Sequence, residues 1–276
     1  MKQTVLPFKI EKSEELITGN SGLTLYMEMY RAVKIDRYVR ELFPKPGSKN
    51  GFGANIYVIS ILILFLAGGK YIEDIRKIQL DRALRRLGNL RVIPTSDAIG
   101  NWLRRGSEGK IAALEEIHQK ISKQFLKTLK RKEHTFDIDA FSILSKKHSA
   151  TYTYLSAKGY MPMLGHLAEL DWAIGYEFRE GREAPQSRNL EFLKQCFKRM
   201  PKGHRIRRVR IDSAGYQKDI FEWLDQQGVK FTVTGRKNSN IMREIELIEA
   251  TEWKSLKSKA GVPTDREVAE TWASME

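Results

Sequence analysis

Thr135-Phe136-Asp137-Ile138-Asp139-Ala140 is an apolar run interrupted at alternate positions by two carboxylates. In an extended strand successive side chains point to opposite faces, so Asp137 and Asp139 share one face while Phe136, Ile138 and Ala140 share the other. The stretch therefore reads as a strand with one acidic and one buried face. A second β-like run, from His204 to Ile211, ends in Asp212 and a Ser213-Ala214-Gly215 turn, which leaves the Asp212 carboxylate at a strand's C-terminal edge. Open α/β sheets bind their ligands at that edge. If the two strands pair, their aspartates repel each other unless a cation lies between them, and a hard divalent ion with oxygen ligands is the natural candidate. Carboxylates of this kind hold Mg²⁺ or Mn²⁺ for phosphodiester cleavage or transfer. The plainer alternative is that each aspartate only forms a turn or caps a helix.

Working outward from these strands, the pattern is one of alternating strands and helices. Tyr152-Thr153-Tyr154, a Lys158-Gly159-Tyr160 turn, and runs at Met161–Leu170 and Trp172–Phe178 predict three successive strands counted from Asp139. Asn189–Met200 then reads as a helix with Leu190, Leu193, Phe197 and Met200 inward, followed by the strand to Asp212. After it come a helix at Gln217–Gln227, a strand at Val229–Thr234 and a helix at Asn240–Glu249. The sum is a mixed α/β sheet over 131–276 with acids on its first and fourth strands.

Upstream, residues 1–130 read as helical. Residues Met1–Asn20 form a polar arm. Leu23, Tyr26, Met29, Tyr30 and Val33 fall at helical spacing, Ile35–Leu42 is a second short helix, and Ala54–Ala67 is a buried core helix stopped by Gly68-Gly69. Ile72, Ile75 and Ile78 mark another helix, and Arg82, Arg85 and Arg86 stand on the exposed side of the next. Thr95-Ser96-Asp97 supplies N-cap chemistry for a helix that contains Ile99, Trp102 and Leu103 and ends in Arg104-Arg105. Short capped helices with terminal arginines suit a helix-turn-helix-like DNA reader, and equally a plain helical bundle. Ile111–Leu129, with Leu114, Ile117, Ile121, Phe125 and Leu129 on one side, is the joint, and it ends in the basic run Lys130-Arg131-Lys132.

The 276 residues carry 48 Lys plus Arg against 34 Asp plus Glu, a formal net charge of +14. A charge of that size and sign implies a polyanionic partner, nucleic acid first. The single cysteine, Cys196, excludes an intrachain disulfide and a Cys-rich zinc site, and its place in an amphipathic helix makes it a packing residue. Met1–Glu15 lacks the apolar core of a signal peptide, and the longest apolar run falls short of the roughly 20 residues of a membrane span. A cytoplasmic, nucleoid-associated protein with no membrane partner is the expectation.

The segments FDIDAF, KGYMPMLGHLAEL with the following EFREG, RIDSAGY, and the helix ending in DQQG resemble the catalytic domain of DDE-type insertion-sequence transposases. The likeness extends to GLTLYMEMY, GGKYIEDI and PTSDAIGNWLRR, so it spans nearly the whole chain. It implies a ribonuclease H-like fold and an Asp-Asp-Glu site that holds Mg²⁺ or Mn²⁺ for cleavage and strand transfer at transposon ends in double-stranded DNA. A homo-oligomer is compatible with it. The first acid falls on Asp139, with Asp137 as runner-up metal ligand, and the second falls on Asp212. Arg210 either neutralises acidic charge or touches phosphate, or is a plain solvated arginine, and Arg104, Arg105, Lys130 and Arg131 are the other DNA-binding candidates.

The family's glutamate lies beyond a β-rich insertion, in a Tyr-Arg-Glu type signature that this chain does not contain. The resemblance therefore implies the amino-terminal part of a longer enzyme, ending within the insertion. Glu244, Glu246, Glu249, Glu267 and Glu270 do not occupy the expected context. With two of three carboxylates, positioning for phosphoryl transfer suffers, so weak or absent activity is expected. Two alternatives stand beside this reading. One is a noncatalytic DNA-binding fragment that occupies transposon ends or regulates the intact enzyme; the other is a structure-selective nuclease on the same fold.

Overall fold

The computed structural model describes residues 14–47, 51–258 and 260–273; the first part of the expected polar arm, residues 1–13, lies outside them. The chain divides into two compact units, 1–127 and 128–276.

The first unit is built from helices α1 (Leu23–Ala32), α2 (Ile35–Leu42), α3 (Ala54–Leu66), α4 (Ile75–Leu80), α5 (Arg82–Leu87), α6 (Ser96–Arg104) and α7 (Glu108–Thr128). Local chemistry sets several boundaries. The Thr95 hydroxyl accepts from the Ala98 N–H and starts α6, and the Asp81 carboxylate accepts from the Leu84 N–H and starts α5. Leu23, Met27, Tyr57, Ile63, Leu64, Ile75, Ile78, Leu84 and Ile99 form one buried cluster, and Val39, Phe43, Ala113 and Ile117 form another. Trp102 packs against both, with its ring stacked 4.9 Å from Tyr57 and 6.1 Å from Phe43.

The packing selects among the apolar positions of these helices. On α1 the buried stripe is Leu23, Met27 and Tyr30, while Tyr26 and Met29 face solvent, because i, i+4, i+7 and not i, i+3, i+6 follows the core. Helix α3 is not buried all round: Tyr57, Ser60, Ile63 and Leu64 are covered, whereas Leu62, Phe65 and Leu66 are exposed. Leu103 and Leu114 are also exposed, and Ala113 and Leu126 take the core positions on α7.

The second unit is a mixed α/β fold. Its five-stranded sheet runs β6-β5-β1-β7-β8, formed by β1 (Glu133–Ala140), β5 (Met163–Leu167), β6 (Trp172–Glu177), β7 (Arg205–Ile211) and β8 (Lys230–Val233). β1, β5 and β6 are antiparallel neighbours, and β7 and β8 run parallel to β1. This is the ribonuclease H-like arrangement. Crossover helices α8 (Asn189–Arg199) and α9 (Lys218–Gln226) connect the parallel strands. Phe192, Leu193, Ile220 and Leu224 from these helices are buried, as are Phe136, Ile138, Val209 and Ile211 from β1 and β7. Burial alternates along β1, with Phe136 and Ile138 covered and Asp137 and Asp139 on the more open side. Gly165 and Gly175 pair across β5 and β6. A side chain at either would strike the Phe136 ring or the Cys196 thiol, respectively, so glycine there lets the core close.

A three-stranded sheet of β2 (Ile143–Leu144), β4 (Lys158–Tyr160) and β3 (Thr151–Tyr152) stands beside this layer in the chain. Lys158-Gly159-Tyr160 is thus a strand and not the expected turn, which lies just before it, where Ser156 takes φ 57°. Gly159 punctuates nothing; a Cβ there would meet the Ile143 carbonyl of the neighbouring strand. Helix α10 (Ser239–Glu246) and the antiparallel pair β9 (Lys254–Lys257) and β10 (Pro263–Val268) complete the described residues.

Candidate active site

Parallel pairing of β1 with β7 sets Asp137 opposite Arg210 and Ile138 opposite Ile211. One step further along both strands come Asp139 and Asp212, so chain positions far apart arrive side by side at the C-terminal rim of the sheet. Both line one cleft of about 280 Å³, together with Tyr154, Asn189, Ser213 and Arg236. The electrostatics follow from the approach. Partial desolvation, and then the negative charge of Asp212, push the Asp139 carboxyl up from its ordinary value, against the smaller opposing effects of the Ala140 N–H and His166.

The turn that carries Asp212 is braced from several sides. Its Oδ1 accepts from the Ala214 N–H at 2.9 Å. The Ala214 carbonyl accepts from Gln217 Nε2 at 2.8 Å and from Asn189 Nδ2 at 3.2 Å, and the Ser213 carbonyl accepts from Arg236 Nε at 3.3 Å. Asn189 is itself held by a buried cation. Arg179, 1% exposed, donates from Nη1 to Asn189 Oδ1 at 3.3 Å and from Nη2 to Glu177 Oε2 at 3.1 Å. Glu177 also pairs with Arg188 at 2.7 Å. This Arg188–Glu177–Arg179–Asn189 chain is absent from the sequence reading. Within the polar segment Glu177–Arg182 a buried arginine looks like any loop arginine, and only its paired partners, Glu177 and Asn189 on the two Nη atoms, distinguish it, with Nε buried and unbonded.

The remaining candidates occupy different surroundings. Asp137 faces the same way as Asp139 but is engaged by Arg210, whose Nε donates to Oδ1 at 2.6 Å and whose Nη2 reaches Oδ2; His166 Nε2 stands 3.8 Å away. Asp137 is not among the residues lining the cleft. Arg210 is therefore paired with Asp137 as its counter-charge. Arg131 pairs with Glu169 at 2.8 Å, and Lys130 is exposed. Arg104 and Arg105 lie exposed at the end of α6, bonded to the Asn101 side chain and carbonyl. Of the five glutamates weighed from sequence, Glu244, Glu246, Glu249, Glu267 and Glu270, none lines the cleft. Among the described residues no group of three or more His, Cys, Asp or Glu gathers into a metal-binding cluster. Cys196 is wholly buried, with its thiol pushed up to about 12 by desolvation, which suits packing and not nucleophilic chemistry.

Known structures resemble this one at low identity. The piggyBac transposase synaptic complex with hairpin DNA is 14% identical, with 86% of this chain and 59% of that chain covered and a TM-score of 0.38. The Mos1 strand transfer complex is 10% identical, covering 84% and 74%, with a TM-score of 0.27. The HTLV-2 integrase catalytic core with magnesium is 11% identical, covering 41% and 68%, with a TM-score of 0.26. No curated protein matches the sequence. The family model described as transposase DDE domain group 1 matches residues 7–276. With that match spanning nearly its whole length, the chain belongs to the group 1 DDE-domain transposases.

Proposed function

We propose that this protein acts on double-stranded DNA at transposon ends, with Asp139 and Asp212 as the two aspartates of a metal-dependent strand-cleavage and strand-transfer centre. The observation that carries the reading is their side-by-side position at the rim of the parallel β1–β7 pair, where desolvation and then the charge of Asp212 raise the Asp139 carboxyl. The donor set fits a hard divalent cation: two carboxylates at an open rim that meet backbone donors, the Ala214 N–H on Asp212 and the Ala140 N–H on Asp139, and have no ion-pair partner among the described residues. Asp139 and Asp212 would hold Mg²⁺ or Mn²⁺, which when bound activates an attacking oxygen and stabilises the leaving one.

The chain's own groups orient the reaction. Asn189, Gln217 and Arg236 fix the Asp212 turn, so the carboxylate is pre-positioned and does not have to be ordered when substrate arrives. Arg236 places a guanidinium in the same cleft, where it supports a phosphate against the two acids. Asp137 is left to Arg210. Arg104, Arg105, Lys130 and Arg131, with the +14 net charge, supply DNA contacts outside the cleft, those of residues 1–130 in a helical DNA-binding region. No helix among the described residues is long and apolar enough to cross a membrane.

With two acids in the cleft and no third among the described residues, the expected cleavage is weak. The same observation favours the second reading, a DNA-end-binding protein without catalysis. Incubating duplexes that carry terminal inverted repeats with protein and Mg²⁺ or Mn²⁺ separates the two. Nicking that disappears in Asp139→Asn and Asp212→Asn, with end binding retained, supports the first; end binding with no metal-dependent nicking by the wild type leaves only the second.

A further inference from the structure

At the opposite end of the same sheet lies a second, larger cleft of about 550 Å³, lined by Arg131, Lys132, Arg207, Arg208 and Lys230 with two carboxylates, Glu133 and Glu169. Both carboxylates are already neutralised. Glu169 pairs with Arg131 at 2.8 Å, and Glu133 pairs with Arg205 and, at 3.4 Å, with Arg207. Lys132 Nζ donates to the Leu129 carbonyl at 2.8 Å and stands 3.1 Å from His204 Nε2. Arg208 and Lys230 are different: they are exposed, have no ion-pair partner among the described residues, and sit directly opposite each other across the β7–β8 pair. Like charges facing each other on neighbouring strands are destabilising unless an anion lies between them.

The backbone is adjusted to present this charge. The β1–β7 register shifts between His134 and Thr135, so that Arg207 is the extra residue between the pairs His134–Ile206 and Thr135–Arg208. Such a bulge re-aims side chains, and here Arg207 and Arg208 are both exposed in succession. Beyond it the alternation is regular, so Arg208, Arg210 and Asp212 share one face of β7. The face thus bears a cationic row, then the Asp137–Arg210 pair, then the acidic pair at the rim. Four residues of strand separate Arg208 from Asp212, about 13 Å at roughly 3.3 Å per residue.

We infer that the Arg208–Lys230 row is a docking site for the phosphodiester backbone of double-stranded DNA. It engages phosphates about four nucleotides from those at the Asp139–Asp212 rim, given roughly 3.4 Å of axial rise per nucleotide in each strand. The inference rests on the proposed action on DNA but not on catalysis. Charge complementarity selects the occupant: two uncompensated cations at one row match the regularly spaced charges of a duplex, and the cleft around them, lined by charged and polar side chains, offers no apolar surface for a protein partner.

The test is anisotropy binding of the full-length protein to labelled duplex in EDTA, over a salt series from about 50 to 200 mM. Arg208→Gln/Lys230→Gln should lower the slope of log K against log salt by about 1.8, since each lost phosphate contact removes about 0.9. Arg208→Lys/Lys230→Arg should keep the slope. Thermal melting guards against misfolding, because removing the like-charge pair should leave the melting temperature equal or higher. A double-Gln variant with unchanged slope and affinity overturns the inference and leaves the catalytic reading intact. Failure of the wild type to cleave DNA sinks the catalytic reading while the EDTA binding result stands.

Discussion

Replacing Asp139 by Asn should stabilise the metal-free protein, which is the reverse of what loss of an ordinary surface hydrogen bond would do. Adjacent strands lie about 4.8 Å apart, so the Asp139 and Asp212 charges are separated by roughly 5 Å at the rim. At an effective dielectric between about 20 and 80 their repulsion is roughly 1–3 kcal/mol, and solvent screening at this open site favours the lower end. About 1 kcal/mol corresponds to about 2–4 °C in a domain of this size.

The pH dependence has a defined sign. Asp139 is raised in the folded state, so below its ordinary value of 3.8 wild type and variant lose their difference, and the variant's advantage grows as pH rises through the folded value and then stays constant through neutrality. Calorimetry at acidic and neutral pH, at low and high salt, measures it. Millimolar affinity for Mg²⁺ would return about 1.4 kcal/mol to the wild type at about 10 mM ion, with little return to the variant. A neutral-pH, metal-free Asp139→Asn protein that melts below wild type, or a gap indifferent to salt, would refute the reasoning.

Other consequences are equally specific. Arg179→Met leaves Asn189 without its buried donor and Glu177 with Arg188 alone, and should cost about 1–3 kcal/mol in urea denaturation. Burial, then His204, lowers the His134 pKa; the folded protein keeps this imidazole neutral while the unfolded chain takes up a proton below about 6.5, so stability should fall as pH drops through that value. His134→Gln should flatten this part of the pH–stability curve. The Cys196 thiol, fully buried, should react with a thiol-specific chromogenic reagent only after denaturation; rapid labelling of the native protein would show that α8 does not pack as described.

Strong period-2 and period-3.6 signals made the central sheet legible. The alternation in Phe136–Ala140 fixed the open face of β1, and Asp212 before a Ser-Ala-Gly turn fixed the end of β7. What sequence could not separate was Asp137 from Asp139. Both share a face, and only the parallel register, which sets Arg210 beside Asp137 and Asp212 beside Asp139, gives them different partners. The buried Arg179 escaped because its partners Glu177 and Asn189 lie on either side of a polar loop. Gly159 was misread as a turn because close backbone approach and turn formation call for the same residue. In the helical unit, apolar residues exceed the core positions available, so helical spacing alone does not tell the buried Met27, Ile99 and Ala113 from the exposed Tyr26, Leu103 and Leu114.

Whether Asp139 and Asp212 grip one cation together is measured most directly by Mn²⁺ binding followed by electron paramagnetic resonance, which does not require turnover. Binding should be present in the wild type, weakened at least tenfold by Asp139→Asn and by Asp212→Asn, and unchanged by Glu244→Gln. Undiminished Mn²⁺ affinity in either aspartate variant would contradict it.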